Sequence, residues 1–132
     1  MVFYEEKNLL FSASSDHDVI VWNMKLMKCE KILVGHRLEV NKVLLDKSKE
    51  KKYLFSCSTD KSVIVWSLNN YCIAHHVWGH YSAITYFSLS NDNTELITCS
   101  KDGSVGIWSL TYNKNILGLL NFIQFNMHNK LA

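Results

Sequence analysis

The fifteen residues from Leu54 to Leu68, LFSCSTDKSVIVWSL, most constrain what this chain can fold into, because they occur three times. The same pattern appears upstream as LFSASSDHDVIVWNM and downstream as LITCSKDGSVGIWSL. It reads as a strand, a tight turn at Asp60-Lys61-Ser62, and a second strand from Val63 to Trp66 that is apolar at every position. A strand apolar on both faces has to be covered on both faces, so the hairpin is expected inside a stack of sheets.

The closing tryptophans Trp22, Trp66 and Trp108 stand 44 and 42 residues apart, and the turn aspartates Asp16, Asp60 and Asp102 keep the same intervals. A serine lies two residues before each aspartate: Ser14, Ser58 and Ser100. Between units comes a Gly-His pair, Gly35-His36 and then Gly79-His80, again 44 apart. A period near 40 to 45 with a Gly-His pair and a strand-ending Trp is the mark of four-stranded propeller blades. By these residues the chain resembles the WD-repeat family over residues 1–110, with Asn or Ser after each Trp where that family prefers Asp. The expected fold is all-β: a partial WD-repeat β-propeller of about three four-stranded antiparallel blades, open at both ends.

Four strands are expected for the second blade, at Val40 to Leu45, Tyr53 to Ser58, Val63 to Ser67 and Cys72 to Val77. The first blade shows the end of an inner strand at Met1-Val2-Phe3, and the third has a possible fourth strand near Asn115 to Leu120. After Leu110 the markers stop, so residues 111–132 read as a non-repeat apolar tail that either covers the last blade's edge or is an aberrant end. Fewer than three complete units leave strand edges unpaired. The chain is therefore expected to be a fragment or incomplete gene model, a propeller completed by a second chain, or a short protein in its own right.

Composition excludes several classes. Net charge is +2 with 13 lysines to one arginine, too mild a balance to argue for nucleic acid by itself. No secretory signal opens the chain and no apolar run reaches membrane-helix length, so a soluble intracellular protein is expected. The four cysteines follow the repeat: Cys57 and Cys99 take the place of Ala13, and Cys29 and Cys72 fall 43 apart in the outer strands. With no C-x-x-C they are expected to be small buried thiols and not a zinc or disulfide framework.

Within one WD blade, the resemblance implies a buried hydrogen-bonded chain of His, Ser or Thr, Asp and Trp. Carried over by position, the second blade supplies His36, Ser58, Asp60 and Trp66; the third supplies His80, Ser100, Asp102 and Trp108; the first supplies only Ser14, Asp16 and Trp22. A Ser, a His and an Asp together suggest a hydrolase triad, but a catalytic site is normally unique and this trio recurs with each full blade. His75 and His76 are neighbours on a strand and point to opposite faces, so they do not chelate one metal. No enzyme activity, cofactor or metal is expected.

The residues left for partners lie on the loop entering the inner strand and beside the turn aspartate: Arg37, Glu39, Thr59, Tyr81, Ser82 and Lys101. A second candidate is the lysine cluster Lys47, Lys49, Lys51 and Lys52, which offers charge to RNA phosphates but brings no aromatic to hold bases. The run from Tyr53 to Leu110, above all HYSAIT at His80 to Thr85, is similar to consecutive blades of the transducin β-like WD-repeat subunits of the small-subunit processome, the U3 ribonucleoprotein. That resemblance implies a nucleolar scaffold for proteins in the assembly that matures small-subunit ribosomal RNA. The alternatives are a cytoplasmic adaptor for ubiquitin ligation or signalling that binds a peptide, or a non-functional fragment of a larger WD protein.

Overall fold

The computed structural model describes residues 1–46, 53–78, 80–90, 95–113 and 116–126, and it is built of strands. Strands β1 (Val2–Tyr4), β2 (Leu9–Ala13), β3 (Asp18–Asn23) and β4 (Lys28–Val34) form the first sheet in sequence order. The second sheet runs β5 (Val40–Leu45), β6 (Tyr53–Ser58), β7 (Ser62–Ser67), β8 (Ile73–Trp78). The third runs β9 (Ile84–Leu89), β10 (Glu95–Ser100), β11 (Ser104–Asn113), β12 (Ile116–Asn126). Each sheet is an antiparallel meander of four strands, as the repeat predicts.

The backbone repeats as faithfully as the sequence. His17, Lys61 and Gly103 occupy equivalent places in the β2–β3, β6–β7 and β10–β11 turns, and all three have positive φ, at 77°, 76° and 85°. In the second and third sheets the turn closes with a backbone bond three residues back, Lys61 N–H to the Ser58 carbonyl and Gly103 N–H to the Ser100 carbonyl. A tight turn followed by one left-handed residue lets the hairpin keep its twist. Met27 and Tyr71 make a second equivalent pair of left-handed residues before the outer strands.

Alternation along the strands gives each sheet two faces. One carries the closing Trp: Leu54, Ser56, Ile64 and Trp66 in the second sheet. The other carries Phe55, Cys57, Val63 and Val65. The Trp face of the second sheet packs on Phe11, Val19 and Val21 of the first, with Leu54 and Ile64 fully buried. The opposite face packs on the Trp face of the third, where Phe87, Leu96 and Trp108 are buried. Every residue of β6 is buried, which is what a two-sided apolar strand requires. Each large side chain so buried contributes roughly 1.5–3 kcal/mol.

Two expectations are corrected, and one falls outside the described residues. The fourth strand of the third sheet is longer than 115–120: β12 pairs with β11 from Asn113↔Ile116 to Ser104↔Asn126, so most of the segment read as a tail belongs to the blade. The cysteines are not uniformly buried; Cys57 is, Cys99 is half-buried, and Cys29 and Cys72 are exposed. Their 43-residue spacing misleads because these blades repeat every 44: Cys29 pairs with Trp22 and its counterpart Ile73 with Trp66, leaving Cys72 one residue short, just ahead of β8. The lysine cluster Lys47, Lys49, Lys51 and Lys52 lies outside the described residues.

Candidate functional site

The expected hydrogen-bonded chain of His, hydroxyl, Asp and Trp is complete in the second blade, but through a different hydroxyl. The Trp66 indole N–H donates to Ser56 Oγ at 2.9 Å, and Ser56 Oγ stands 2.7 Å from His36 Nε2. His36 Nδ1 then reaches Asp60 Oδ2 at 3.1 Å. An ionised carboxylate only accepts, so Nδ1 carries the proton, and the Ser56 hydroxyl donates to Nε2 in preference to the Ile64 carbonyl 3.5 Å away. The third blade repeats the arrangement with Thr98 at 2.6 Å from His80 Nε2 and 3.4 Å from the Trp108 indole nitrogen. In the first, the Trp22 indole N–H donates to Ser12 Oγ at 2.9 Å.

Register explains the substitution. Trp66 sits opposite Leu54, so its indole reaches the diagonal neighbour two residues on, Ser56; Ser58 lies a further two residues along, about 7 Å away. Ser58 instead accepts from the Asp60 N–H at 3.0 Å and donates to the Glu39 carbonyl at 2.8 Å. Ser14 makes the matching turn bond, accepting from the Asp16 N–H at 3.0 Å. Ser100 Oγ is buried with no well-formed bond, but it lies near enough to the Asp102 carboxylate to help lower it.

Two residues the sequence reading passed over complete the arrangement. Ser62 donates to Asp60 Oδ1 and Ser104 to Asp102 Oδ1, each at 2.5 Å, and Ser104 Oγ stands 2.8 Å from His80 Nδ1. The signal was there: a Ser follows two residues after Asp60 and Asp102, whereas Asp16 is followed by Asp18. Burial alone would raise the Asp60 carboxyl, but bonds from His36, Ser62 and the Arg37 N–H outweigh it and hold the group well below the usual carboxylate range. Asp102 is lowered chiefly by Ser104, whereas burial pushes His80 down. Burial also raises the Cys57 thiol to about 12, leaving it inert.

Gly35 explains why the histidine is preceded by glycine. A Cβ on it would stand 2.9 Å from Trp66 Cη2 and 3.1 Å from Ile64 Cδ1, so the loop crosses the Trp face in contact with the ring and delivers His36 to Ser56. The same loop is tied to the β6–β7 turn: the Arg37 N–H donates to Asp60 Oδ2 at 2.9 Å and the Thr59 N–H to the Glu39 carbonyl at 3.0 Å. In the third blade the Lys101 N–H donates to the Ala83 carbonyl at 2.9 Å. Neighbouring blades are joined along this rim as well, by the Val40 N–H to the Ser14 carbonyl at 3.1 Å and Asn41 Nδ2 to the Ile84 carbonyl at 2.7 Å.

The arrangement builds a stiff loop face. Arg37, Glu39, Tyr81 and Lys101 are exposed on it, Tyr81 at 83%, while Thr59 and Ser82 are half-buried and Thr59 is bonded to Asn41. Residues 27–67 and 71–109, more than half of the chain, match the family model described as WD domain, G-beta repeat. The chain belongs to the WD-repeat family. Each matched repeat begins in the outer strand of one sheet and ends with the third strand of the next, β4 to β7 and β8 to β11. A WD repeat thus straddles two blades, which is why its Gly-His pair reaches across to the following Trp. No curated protein matches the chain. WD-repeat domains are protein-interaction scaffolds. His75 and His76 pair with Val65 and Ile64 on opposite faces of the second sheet. Among the described residues no three His, Cys, Asp or Glu side chains are grouped to hold a metal.

Proposed function

We propose that this WD-repeat scaffold is non-catalytic and holds a protein partner on the loop face through Arg37, Glu39, Tyr81 and Lys101, with Thr59 and Ser82 setting the backbone beneath them. The observation that carries the reading is the contrast on one rim. The histidines and the second-blade aspartate are buried and internally bonded, leaving them committed to the fold, while Arg37 and Tyr81 project from backbone those same bonds immobilise. Arg and Tyr are the types that most often carry interface energy, and a fixed backbone lowers the entropy lost on binding. The recurrence of the Ser-His-Asp trio as blade cement argues against a hydrolase.

The partner is proposed to be a subunit of the nucleolar ribonucleoprotein that processes small-subunit ribosomal RNA. What supports this is the resemblance of the run from Tyr53 to Leu110, in which HYSAIT carries the exposed Tyr81 on the loop ahead of β9. RNA is reached through the assembly, with Lys47, Lys49, Lys51 and Lys52 as the candidate phosphate contacts. The test is to tag the protein at its own locus and identify co-purifying proteins and RNA. Processome subunits with precursor ribosomal RNA, reduced in an Arg37→Ala/Tyr81→Ala variant, support the proposal. A small set of cytoplasmic proteins without RNA points to the adaptor role instead.

A further inference from the structure

The rim opposite the loop face carries a cavity of about 210 Å³ between the first and second sheets. Meander order puts it there: Tyr4 ends β1, Leu9 opens β2, Asn23 ends β3, and Leu68 and Tyr71 belong to the connection from β7 to β8. Leu9 is buried, and Leu68 and Tyr71 pack on the core shared by these two sheets, so the walls are fixed by apolar contact. Across the opening the Tyr71 hydroxyl donates to Glu30 Oε2 at 3.0 Å, and Asn23 Nδ2 lies 3.5 Å from Oε1. Burial and the Glu30 carboxylate push the Tyr71 hydroxyl up to about 12, so it stays a neutral donor near neutral pH. No cationic side chain among the described residues pairs with Glu30. Lys7, also on the cavity, holds its ammonium 5.7 Å from the centre of the Tyr4 ring.

Recurrence separates this set from the polar chain that cements the blades. Trp22 pairs with Cys29 and its counterpart Trp66 with Ile73, so Glu30 corresponds to Ala74, and Asn23 to Ser67. The Trp and its hydroxyl acceptor return with the next blade; the carboxylate and the amide do not. We propose that this cavity docks a single arginine side chain of a protein partner, its guanidinium on Glu30 and beside the rings of Tyr4 and Tyr71. An ionised carboxylate accepts at about four lone-pair sites, and Glu30 uses one well and a second at the limit of hydrogen-bond length. A guanidinium brings a planar fork of donors that suits the remaining Glu30 lone pairs and the Tyr71 oxygen together, and its flat face stacks on tyrosine. Lysine offers a point charge with no plane, and an acidic side chain would meet Glu30 with like charge. Size agrees. The volume of about 210 Å³ exceeds the roughly 150 Å³ that takes up benzene and falls below the roughly 300–1,000 Å³ of sites for drug-sized molecules, which suits one side chain. The inference goes beyond the loop-face partner, since it uses the opposite rim and none of the residues proposed there.

The test titrates the isotope-labelled full chain with the peptide acetyl-Gly-Ser-Arg-Ser-Gly-amide and follows backbone amide shifts by NMR, up to about 20 mM because one anchored side chain binds weakly. The expected result is a saturable shift centred on Asn23, Glu30, Leu68 and Tyr71. Binding should be at least about fivefold weaker when the peptide carries Lys in place of Arg, a comparison that needs no variant of the protein, and absent when it carries Glu. Glu30→Gln, with its fold checked by melting, should weaken the Arg peptide at least about tenfold. Lys7→Ala should leave that binding intact or tighten it, because it removes a like charge. No shift at the cavity residues up to about 20 mM overturns the proposal. So does equal binding by a folded Glu30→Gln chain, or a Glu peptide that binds and is lost in Lys7→Ala. Free arginine binding more than about tenfold tighter than the peptide also overturns it, by assigning the cavity to a small molecule instead of a protein partner.

Discussion

Ser56→Ala tests the register argument at its centre. In the wild type Ser56 is fully buried and its hydroxyl serves two groups at once, the Trp66 indole N–H at 2.9 Å and His36 Nε2 at 2.7 Å, in residues 2% and 6% exposed. Truncation removes one oxygen and leaves both partners buried without a bond. An unsatisfied buried polar group costs about 1–3 kcal/mol, so the variant should lose roughly 2–4 kcal/mol. For a chain of this length that is a fall of about 6–12 °C in Tm. Ser12→Ala should cost less, about 0.5–1.5 kcal/mol, because half-buried Trp22 can turn its N–H to water. Ser58→Ala loses only turn bonds to Asp60 and Glu39 and should fall near 1 kcal/mol. Ser56→Thr, the residue type the third blade uses at Thr98, should recover most of the loss. The measurement is thermal melting by circular dichroism at one fixed protein concentration, since any self-association makes Tm depend on concentration. A Ser58→Ala loss equal to or larger than that of Ser56→Ala would refute the assignment of the bridging hydroxyl.

Gly35→Ala should destabilise by about 1–3 kcal/mol in urea unfolding, because the added methyl meets Trp66 Cη2 at 2.9 Å; a neutral result would mean the loop does not press on the ring. Trp66→Ala should cost about 3–5 kcal/mol and Trp22→Ala clearly less, since only the former is enclosed between sheets; equal melting losses would contradict the packing order. Acid should destabilise the fold in two stages. Burial lowers the His76 and His80 pKa values, so the unfolded chain takes up protons first, and stability should fall as pH drops below about 6.5. Asp60 and Asp102, both held low in the fold, add a second loss below about pH 4, and this later stage should be smaller in an Asp60→Asn variant followed by denaturant unfolding across pH.

Most of the architecture could be read from spacing alone. The intervals of 44 and 42 residues set three hairpins, and the left-handed residues His17, Lys61 and Gly103 fall at those intervals. What spacing does not supply is cross-strand register. Ser56 and Ser58 have the same parity on β6, so both point to the Trp face, and only the pairing of Leu54 with Trp66 selects the first as the indole's acceptor. A related gap misled the reading of Cys72: pairing makes Ile73, 44 residues on, the counterpart of Cys29, and Cys72 falls just outside the outer strand. β12 was obscured for another reason: outer strands carry no repeating marker, Trp78 of β8 having Val34 as its counterpart in β4, so a marker search stops at Leu110 while the sheet continues to Asn126.

The polar chain gives the repeat a directionality that hydrophobic packing alone would not. Apolar faces of similar composition can slide or pair in either order, but His36 leaves the first blade, passes Gly35 over Trp66, and bonds Ser56 and Asp60 within the second. That linkage fixes which face of each sheet looks forward and which looks back, because the histidine must come from the sheet before and the Trp, hydroxyl and aspartate from the sheet after. A buried polar network of this kind penalises every alternative pairing by the cost of its unsatisfied members. The same asymmetry makes the Trp face of each sheet unlike the opposite face of the sheet before it.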